Sequence, residues 1–283
     1  MAELLKGAAV AAAICEELTG RVETLKERGI VPRLAIVRLG EEGGDLAYER
    51  GAVKRCGAIG IEVEHVLLPR DVEEETLLTQ IDRINGDANI HGCLILRPLP
   101  RQIDEQKVCR RLAPEKDVDS ITDSSACHVY TGAGAGFVPC TPQAVIEILD
   151  HYQVALSGAR VAVIGRSPVV GKPLSLMLQA RDATVTMCHS RTKDLAAICR
   201  EQDVIISAAG RMGTEDGRCV RPGQVIIDVG TNVGPDGKLT GDVLFGEVEP
   251  VVRAITPVPG GVGAVTTTVL ASHVVEAAEK ASK

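Results

Sequence analysis

The 283-residue sequence has very few aromatic side chains: it contains no tryptophan, three tyrosines and two phenylalanines. A core therefore has to be packed from valine, isoleucine, leucine and alanine, a composition that suits parallel strands covered by helices on both faces. Hydrophobic residues make up 45% of the chain and charged residues 24%, which excludes a chain that is disordered throughout. The length allows two domains that each bury a core of their own.

The sequence also lacks an excess of positive charge, a long apolar run and paired cysteines. The net charge is −7 and the basic residues are dispersed, so we expect no nucleic-acid surface. The apolar run Ala8–Cys15 is too short to span a membrane, and because Glu16 and Glu17 follow it at once, it predicts an amphipathic helix rather than a signal peptide. Nine cysteines without a Cys-x-x-Cys pair indicate reduced thiols, and the histidines show no metal-ligand spacing. We therefore expect a cytoplasmic protein without disulfides, a metal site or a membrane segment.

Apolar runs of strand length alternate with segments of helical period along the whole chain. This order predicts an α/β fold with parallel sheets and right-handed crossovers. The first series comprises strands Arg33–Leu39, Glu62–Leu67 and Gly92–Leu96, with helices Leu46–Ile59 and Val72–Asn85 between them, the second opened by a possible capping box of Asp71 and Glu74. The second series comprises strands Arg160–Ile164, Thr184–Cys188, Asp203–Ser207 and Gln224–Val229.

The two series are separated by the segment Pro114–Pro139, which has no apolar period and predicts a long loop. Thr141 followed by Pro142 predicts the start of a helix, Pro142–Tyr152, between the domains. The last helix, from Val265, is too far from the second series to be one of its crossovers, so we expect it to pack on the first domain. The predicted domains are residues 1–141 with the helix 265–283, and residues 142–264.

A glycine-containing loop joins the strand Arg160–Ile164 to a helix. It runs from Gly165 through Arg166 and Ser167 to Gly171. Glycine permits a tight turn, and a helix N-terminus offers free N–H groups to a pyrophosphate. The match to the Gly-x-Gly-x-x-Gly pattern is imperfect, so a plain tight turn is the alternative, but the β-α-β context favours a dinucleotide site of Rossmann type.

The end of the next strand bears on which dinucleotide is bound. An NAD site usually has an acidic residue there for the ribose 2′-hydroxyl. This sequence has Ser190 and Arg191 instead, and Arg166 lies in the glycine loop. Two arginines and a hydroxyl favour the 2′-phosphate of NADP over NAD; the alternative is that Arg191 is a solvated loop charge.

Four segments in order carry a resemblance to a known family: Arg97–Pro100, Lys116–Asp119, Gly165–Pro173 and Thr256–Gly263. With these segments the chain resembles the methylenetetrahydrofolate dehydrogenase/methenyltetrahydrofolate cyclohydrolase family over nearly its whole length. The resemblance implies an N-terminal folate domain, an NADP domain, a cleft between them and a homodimer. It also implies hydride transfer from 5,10-methylenetetrahydrofolate to NADP⁺, followed by hydrolysis of the methenyl product to 10-formyltetrahydrofolate.

The resemblance also implies roles for single residues. Tyr48 and Asp119 match catalytic and folate-binding positions, and a turn cap is the alternative role for Asp119. Pro259, Gly260 and Gly261 match a loop that closes over folate and nicotinamide, where only glycine allows close backbone approach. Thr231 matches a position whose backbone meets the cofactor.

The sequence departs from the family at two positions that serve the hydrolytic step. The family has a lysine four residues after the tyrosine and a glutamine before the Leu-Pro turn, but this chain has Ala52 and Leu96. Neither side chain can transfer a proton, and Lys54 lies well around the helix from Tyr48. The hypothesis is an NADP-dependent dehydrogenase with weak or no cyclohydrolase activity. The alternatives are the full bifunctional enzyme, with Lys54 or Arg97 reaching in, and a non-catalytic binding protein.

Overall fold

The computed structural model describes residues 1–234 and 237–282 and divides the chain into two compact units. The six-stranded unit consists of Met1–Ala12 and Thr141–Thr266, and the three-stranded unit consists of Ala13–Cys140 and Thr267–Lys283. Each unit is therefore assembled from two separate stretches of sequence. The predicted assignment of folate binding to residues 1–141 with 265–283, and of cofactor binding to residues 142–264, stays a prediction.

The helices and strands follow one another in largely alternating order. The helices are α1 Gly7–Glu27, α2 Gly43–Ile59, α3 Glu74–Gly86, α4 Glu105–Arg111, α5 Asp123–Thr131, α6 Cys140–His151, α7 Gly171–Gln179, α8 Leu195–Arg200, α9 Phe245–Val248 and α10 Gly263–Ala281. The strands are β1 Glu3–Leu4, β2 Arg33–Leu39, β3 Glu62–Leu68, β4 Gly92–Ile95, β5 Arg160–Ile164, β6 Thr184–Cys188, β7 Val204–Ser207, β8 Val225–Asp228, β9 Asn232–Val233, β10 Leu239–Thr240 and β11 Ala254–Ile255.

The sheet of the three-stranded unit is parallel in the order β3-β2-β4. Its central strand β2 is buried on both faces, which explains the apolar run Leu34–Val37 in its sequence. Ala35, Val37 and Leu39 face one side of the sheet and pack with Leu77 and Ile81 of α3. Leu34 and Ile36 point to the opposite face and are also fully buried.

The main sheet of the six-stranded unit is parallel in the order β1-β11-β8-β7-β5-β6. After β5 the chain adds β6 on one side and then crosses to add β7 on the other, so the connections reverse direction between β5 and β7. In open α/β sheets ligands bind at the carboxyl ends of the strands at such a switch point. The fold thus directs attention to the residues after Ile164 and Ser207. The α/β fold with parallel sheets is as predicted.

Three local predictions are wrong. The segment 114–139 is not a plain loop, because it contains a 3₁₀ turn at Pro114–Lys116 and the helix α5, which is capped by the Thr122 hydroxyl. The helix predicted to begin after Thr141 begins at Cys140. The helix α3 has Glu73 at its N-cap without a side-chain cap, so the capping box of Asp71 and Glu74 does not form.

The C-terminal helix α10 is divided between the units, and its greater part, from Thr267, belongs to the three-stranded unit. Among the described residues, no helix has both the length and the apolar character that crossing a membrane requires.

Candidate functional site

A cavity of about 360 Å³ opens at the switch point of the six-stranded unit. Ile164, Gly165, Arg166 and Ser167 line it after β5, and Ala208 and Ala209 line it after β7. The remaining lining residues are His189, Ser190, Thr192, Leu195, Arg211 and Thr214. The cavity therefore combines the glycine loop with the turn after β6, the two segments that the sequence singled out.

The glycine loop is shaped by backbone contacts that exclude any larger residue. Gly165 has φ +137°, and a Cβ placed on it would lie 2.2 Å from the carbonyl oxygen of Ala208. A Cβ on Gly171 would lie 2.1 Å from the carbonyl oxygen of Gly165. Only glycine allows β5, β7 and α7 to approach this closely. Gly171 thus acts through packing and does not itself line the cavity.

The N-terminus of α7 is organised by the side chain of Ser167. Its hydroxyl accepts hydrogen bonds from Val170 N at 3.0 Å and from Gly171 N at 3.4 Å, while its carbonyl accepts one from Lys172 N at 3.0 Å. The N-cap residue Val170 has no side-chain acceptor to offer. Ser167, which lines the cavity, therefore caps the positive end of α7, and Arg166 adds a positive charge to the cavity lining.

The turn after β6 is held together by its own side chains. His189 N donates to the Thr192 hydroxyl at 2.8 Å, and Arg191 N donates to His189 Nδ1 at 3.2 Å. Ser190 lines the cavity, but Arg191 is exposed and does not. Thr231 is exposed as well and lies outside the cavity lining. The assignment of these three residues to the cofactor stays a prediction.

Arg211 is a cavity residue that the sequence reading missed. It follows β7, whose carboxyl end forms the second wall of the switch point. Ala208 and Ala209 were missed as well, because they contribute backbone and small side chains rather than a recognisable motif. Their position could have indicated them, since residues directly after a strand that neighbours β5 are candidates for a ligand site.

Tyr48 and Asp119 lie together in the three-stranded unit. Burial raises the pKa of Tyr48 well above its ordinary value, with further contributions from Asp119, Cys140 and Cys56. The Tyr48 phenol therefore stays protonated and can donate a hydrogen bond at any working pH. Burial also raises the pKa of Asp119 to about 6, although the Cys140 thiol and the Arg97 guanidinium favour the ionised carboxylate.

The segment that carries Asp119 is fixed by buried polar contacts on either side. Asp117 is fully buried and accepts hydrogen bonds from Ile121 N and Thr122 N at 2.8 Å and from the Ser125 hydroxyl at 2.6 Å. The next carbonyl, Val118 O, accepts hydrogen bonds from His273 Nδ1 at 2.8 Å and from Cys140 Sγ at 3.3 Å. Asp117 is thus structural, while Asp119 is left half-buried beside Tyr48.

The positions of the two predicted losses are apolar and enclosed. Ala52 is fully buried on the face of α2 that also carries Cys56, and Leu96 is buried after β4. Lys54 is exposed. Arg97 carries its charge near Asp119 and pairs with Glu105 at 3.2 Å. An arginine cannot release its proton in a protein, so Arg97 can stabilise charge here but cannot shuttle protons.

Pro259, Gly260 and Gly261 belong to the six-stranded unit. Gly260 has φ +105°, and its carbonyl accepts a hydrogen bond from Gly7 N at 2.8 Å. A Cβ on Gly261 would lie 2.6 Å from the carbonyl oxygen of Pro257. Pro259 and Gly260 are exposed while Gly261 is buried. The loop therefore requires glycine for its own packing, and its predicted contact with folate stays a prediction.

A set of buried carboxylates lies behind the carboxyl ends of β7 and β8. Asp242 accepts hydrogen bonds from Ala209 N at 2.7 Å and Gly210 N at 2.9 Å, and so fixes the wall of the cavity. Glu215 is fully buried, receives the Ser207 hydroxyl and keeps Oε1 without a partner; burial raises its pKa to about 8. Within residues 1–234 and 237–282, no group of three or more His, Cys, Asp or Glu side chains is arranged to hold a metal ion.

Two family models match the chain. The catalytic domain of tetrahydrofolate dehydrogenase/cyclohydrolase matches residues 5–119, and the NAD(P)-binding domain of the same family matches residues 139–282. The bifunctional protein FolD of Carboxydothermus hydrogenoformans is 51% identical over 281 residues, which are 99% of this chain and 98% of that protein.

Solved structures are similar over the same length. The bifunctional enzyme FolD, a methylenetetrahydrofolate dehydrogenase/cyclohydrolase from Campylobacter jejuni, superposes with a TM-score of 0.96 at 36% identity, covering 99% of each chain. The Trypanosoma brucei methylenetetrahydrofolate dehydrogenase-cyclohydrolase, solved with NADP cofactor and an inhibitor, has a TM-score of 0.93 at 35% identity and covers 100% of this chain and 99% of that one. Both units are therefore included in the likeness.

Proposed function

Since the chain belongs to the tetrahydrofolate dehydrogenase/cyclohydrolase family, we propose that it oxidises 5,10-methylenetetrahydrofolate to 5,10-methenyltetrahydrofolate with NADP⁺ as the acceptor. The observation that carries this proposal is the cavity at the β5–β7 switch point, built on Gly165, Arg166 and Ser167. NADP use is supported by the matched NAD(P)-binding domain and by the relative that was solved with NADP. We assign residues 142–264 to the cofactor and residues 1–141 with 265–283 to folate.

The residues of the glycine loop fit a dinucleotide. Gly165 and Gly171 leave no room for a Cβ, so the backbone can follow a pyrophosphate closely. The positive end of α7, which Ser167 caps, lies at the same loop. Arg166 and Arg211 supply positive charge at the cavity for the 2′-phosphate, and Ser190 supplies a hydroxyl. NADP⁺ supplies the hydride-accepting ring when bound.

Hydride transfer needs a held substrate and a polar setting for the methenyl cation, not a general base. Asp119, ionised above its pKa of about 6, offers carboxylate oxygens to the N–H donors of a pterin and a negative charge near a developing cation. Tyr48, which stays protonated, donates a hydrogen bond next to it. These two side chains therefore orient the folate and stabilise its oxidised form.

The hydrolytic step is a second candidate function, and the comparisons favour it. The relatives are named for both activities, so they support the bifunctional reading better than weak or absent cyclohydrolase activity. Three residues of this chain argue against an efficient cyclohydrolase. The buried side chains of Ala52 and Leu96 cannot transfer a proton, and the Arg97 guanidinium cannot release one. We retain weak cyclohydrolase activity as the proposal that these side chains support.

One assay tests both functions. Purified protein is given methylenetetrahydrofolate with NADP⁺ or NAD⁺, and NADPH or NADH formation and methenyltetrahydrofolate are followed by absorbance. We expect reduction of NADP⁺ and accumulation of the methenyl product. Prompt loss of that product, faster than in buffer, would establish the bifunctional enzyme. If neither cofactor is reduced, the protein is a folate- or nucleotide-binding protein without this activity.

A gain-of-function variant sharpens the second part. Ala52→Lys with Leu96→Gln introduces a protonatable amine on the face of Tyr48 and an amide before the Leu-Pro turn. We expect hydrolysis of methenyltetrahydrofolate to rise at least tenfold over the parent, with little change in the rate of NADP⁺ reduction. Lys54→Ala is the matched control, because an exposed lysine should contribute nothing to either rate. The predicted cleft between the domains and the homodimer stay predictions.

A further inference from the structure

The helix α2, which carries Tyr48, begins with little local support. Its N-cap residue Glu42 makes no side-chain cap, and Gly43 and Gly44 form its exposed first turn. Each glycine costs a helix about 1 kcal/mol relative to alanine. The helices α4 and α5 of the same unit differ, since the side chains of Asp104 and Thr122 accept hydrogen bonds from their first turns. The position of the α2 start must therefore come from contacts outside the helix.

A buried ionic cluster supplies such contacts one residue after Tyr48. Arg38 Nε lies 2.6 Å from Glu49 Oε2, and both side chains are less than a tenth exposed. A second nitrogen of the Arg38 guanidinium donates to the carbonyl of Gly40, in the loop that leads into α2. His65 Nδ1 of β3 lies 2.7 Å from Glu49 Oε1. The cluster thus ties β2, β3, the loop and α2 together at the carboxyl end of β2.

Tyr48, the residue before Glu49, faces a different set of groups. Tyr48 interacts with Asp119, Cys140 and Cys56, none of which belongs to the ionic cluster. Adjacent residues on a helix point about 100° apart, so Glu49 can face β2 and β3 while Tyr48 faces Asp119. A small rotation of α2 would move both side chains together, because the turn between Glu42 and Tyr48 is rigid once hydrogen-bonded.

We propose that Arg38 and Glu49 are positioning residues that set the rotation and height of the first turns of α2, and through them the placement of the Tyr48 hydroxyl for the folate substrate. This assignment rests on the proposed function of Tyr48 and Asp119. Neither Arg38 nor Glu49 is proposed to touch the substrate. Their effect is carried by the helix, and it concerns folate, not the dinucleotide.

Stability alone does not account for the cluster. A buried ion pair usually contributes little or nothing compared with apolar side chains of the same size, because desolvation of both charges offsets their attraction. Two leucines would fill the same space without that cost. A directional pair that also binds the loop carbonyl of Gly40 fixes geometry in a way that leucines cannot. The proposal therefore predicts that a variant can keep the thermal midpoint of the parent and still have a raised KM for folate.

The test compares Glu49→Ala, the double variant Arg38→Leu with Glu49→Leu, and the control Glu64→Ala. Glu64 also lies on β3 and pairs with Arg83 at 2.6 Å, but this pair is solvent-exposed. For each protein the KM for methylenetetrahydrofolate, the KM for NADP⁺, kcat and the thermal midpoint are measured. A purely structural role of the cluster would not raise the KM for methylenetetrahydrofolate selectively, without a matching change in the KM for NADP⁺ or in kcat.

We expect Glu49→Ala to lower the thermal midpoint by about 6 °C or more, because it leaves Arg38 buried without a partner. The double variant should recover most of that midpoint but still show a folate KM raised about tenfold, with the KM for NADP⁺ unchanged. The control should match the parent in all four quantities. If Glu49→Ala does not fold, the double variant alone carries the comparison.

Two results would overturn the proposal. One is a parental folate KM in the double variant; the other is an equal rise of both KM values, which would indicate general loosening. If the parent oxidises no methylenetetrahydrofolate, the proposed function fails first, and calorimetric binding of tetrahydrofolate replaces the KM. Tenfold weaker binding of tetrahydrofolate by the double variant than by the parent then supports the positioning role. The proposal is wrong if the two proteins bind tetrahydrofolate equally, or if the parent does not bind it.

Discussion

The cavity of the six-stranded unit and the Tyr48–Asp119 pair of the three-stranded unit are built in different ways. The cavity is shaped by backbone: two glycines without room for a Cβ, a helix N-terminus and a wall fixed through N–H groups. The Tyr48–Asp119 pair depends on buried, titratable side chains whose pKa values burial has moved. A backbone site tolerates change at most side chains and responds little to pH. A side-chain site can be retuned by single substitutions.

The strongest way to break this contrast is to add one methyl group to the backbone site. Gly165→Ala places a Cβ 2.2 Å from Ala208 O at φ +137°, where side chains are strained in any case. We expect NADP⁺ binding, measured by calorimetry, to weaken at least ~100-fold, about 2.7 kcal/mol. Gly158→Ala is the control, since φ is +75° there but a Cβ meets nothing within 4 Å. Parental affinity in Gly165→Ala would contradict the backbone account.

The next test concerns the side-chain site and its pH dependence. Asp119 has a pKa of about 6, so folate binding should weaken as the pH falls through 6 and the carboxylate gains a proton. Asp119→Asn loses the charge at every pH. We expect its folate KM at pH 7.5 to rise about 10- to 100-fold, as for loss of a hydrogen bond to a charged group, and its pH dependence to flatten. The same slope of KM against pH in both proteins would assign the titration elsewhere.

The preference for NADP⁺ over NAD⁺ should depend on side chains, although backbone shapes the cavity. Arg166 lines the cavity whereas Arg191 does not. We expect Arg166→Ala to lower the ratio of kcat/KM for NADP⁺ to that for NAD⁺ about tenfold, because one charged contact to the 2′-phosphate is worth about 1.4 kcal/mol. Arg191→Ala should change the ratio less. A larger effect at Arg191 would restore the prediction made from the sequence.

The smallest effect concerns Glu215, behind the cavity wall. Its folded pKa is raised to about 8, so the unfolded chain releases this proton first, and the free energy of unfolding falls as the pH rises from about 4.5 to 8. Glu215→Gln removes that loss. We expect a thermal midpoint a few degrees higher at pH 8 and nearly unchanged at pH 5. Exposed Glu201→Gln is the control, and a gain of equal size at both pH values would exclude ionisation as the cause.

Periodicity was enough to predict the strands that fill the two sheets. The bounds of β2, β5 and β6 agree with the prediction residue by residue. Leu34–Val37 and Val161–Ile164 are the continuous apolar runs of buried parallel strands, whereas the edge strand β6 alternates threonine with apolar residues. The helix α5 was missed because only Ser125 of its nine residues is buried. The Thr122 cap and the hydrogen bond from Ser125 to Asp117 hold the helix instead of an apolar stripe. The two-residue strands β1 and β11 exist through their pairing, which no local pattern encodes.

The candidate site was predictable to the extent that it follows a strand with a motif. Gly165, Arg166, Ser167 and Ser190 line the cavity, and their contact with the cofactor stays a prediction. Arg211 was not predictable from its neighbours in sequence, since it reaches the cavity only because β7 lies beside β5. The cluster of Arg38 and Glu49 was equally hidden, because opposite charges eleven residues apart acquire meaning only when α2 packs on β2.

The discontinuous make-up of the two units has a consequence for how the chain is synthesised. Leu4 pairs with Ile255, and Thr267–Lys283 completes the unit that begins at Ala13. A ribosome therefore releases the first edge strand about 250 residues before its partner. The six-stranded sheet stays incomplete until Ile255 has emerged, whereas the three-stranded sheet has all its strands by Ile95 and lacks only the packing of α10. Truncation before Gly263 should accordingly damage both units, because α10 contributes residues to each.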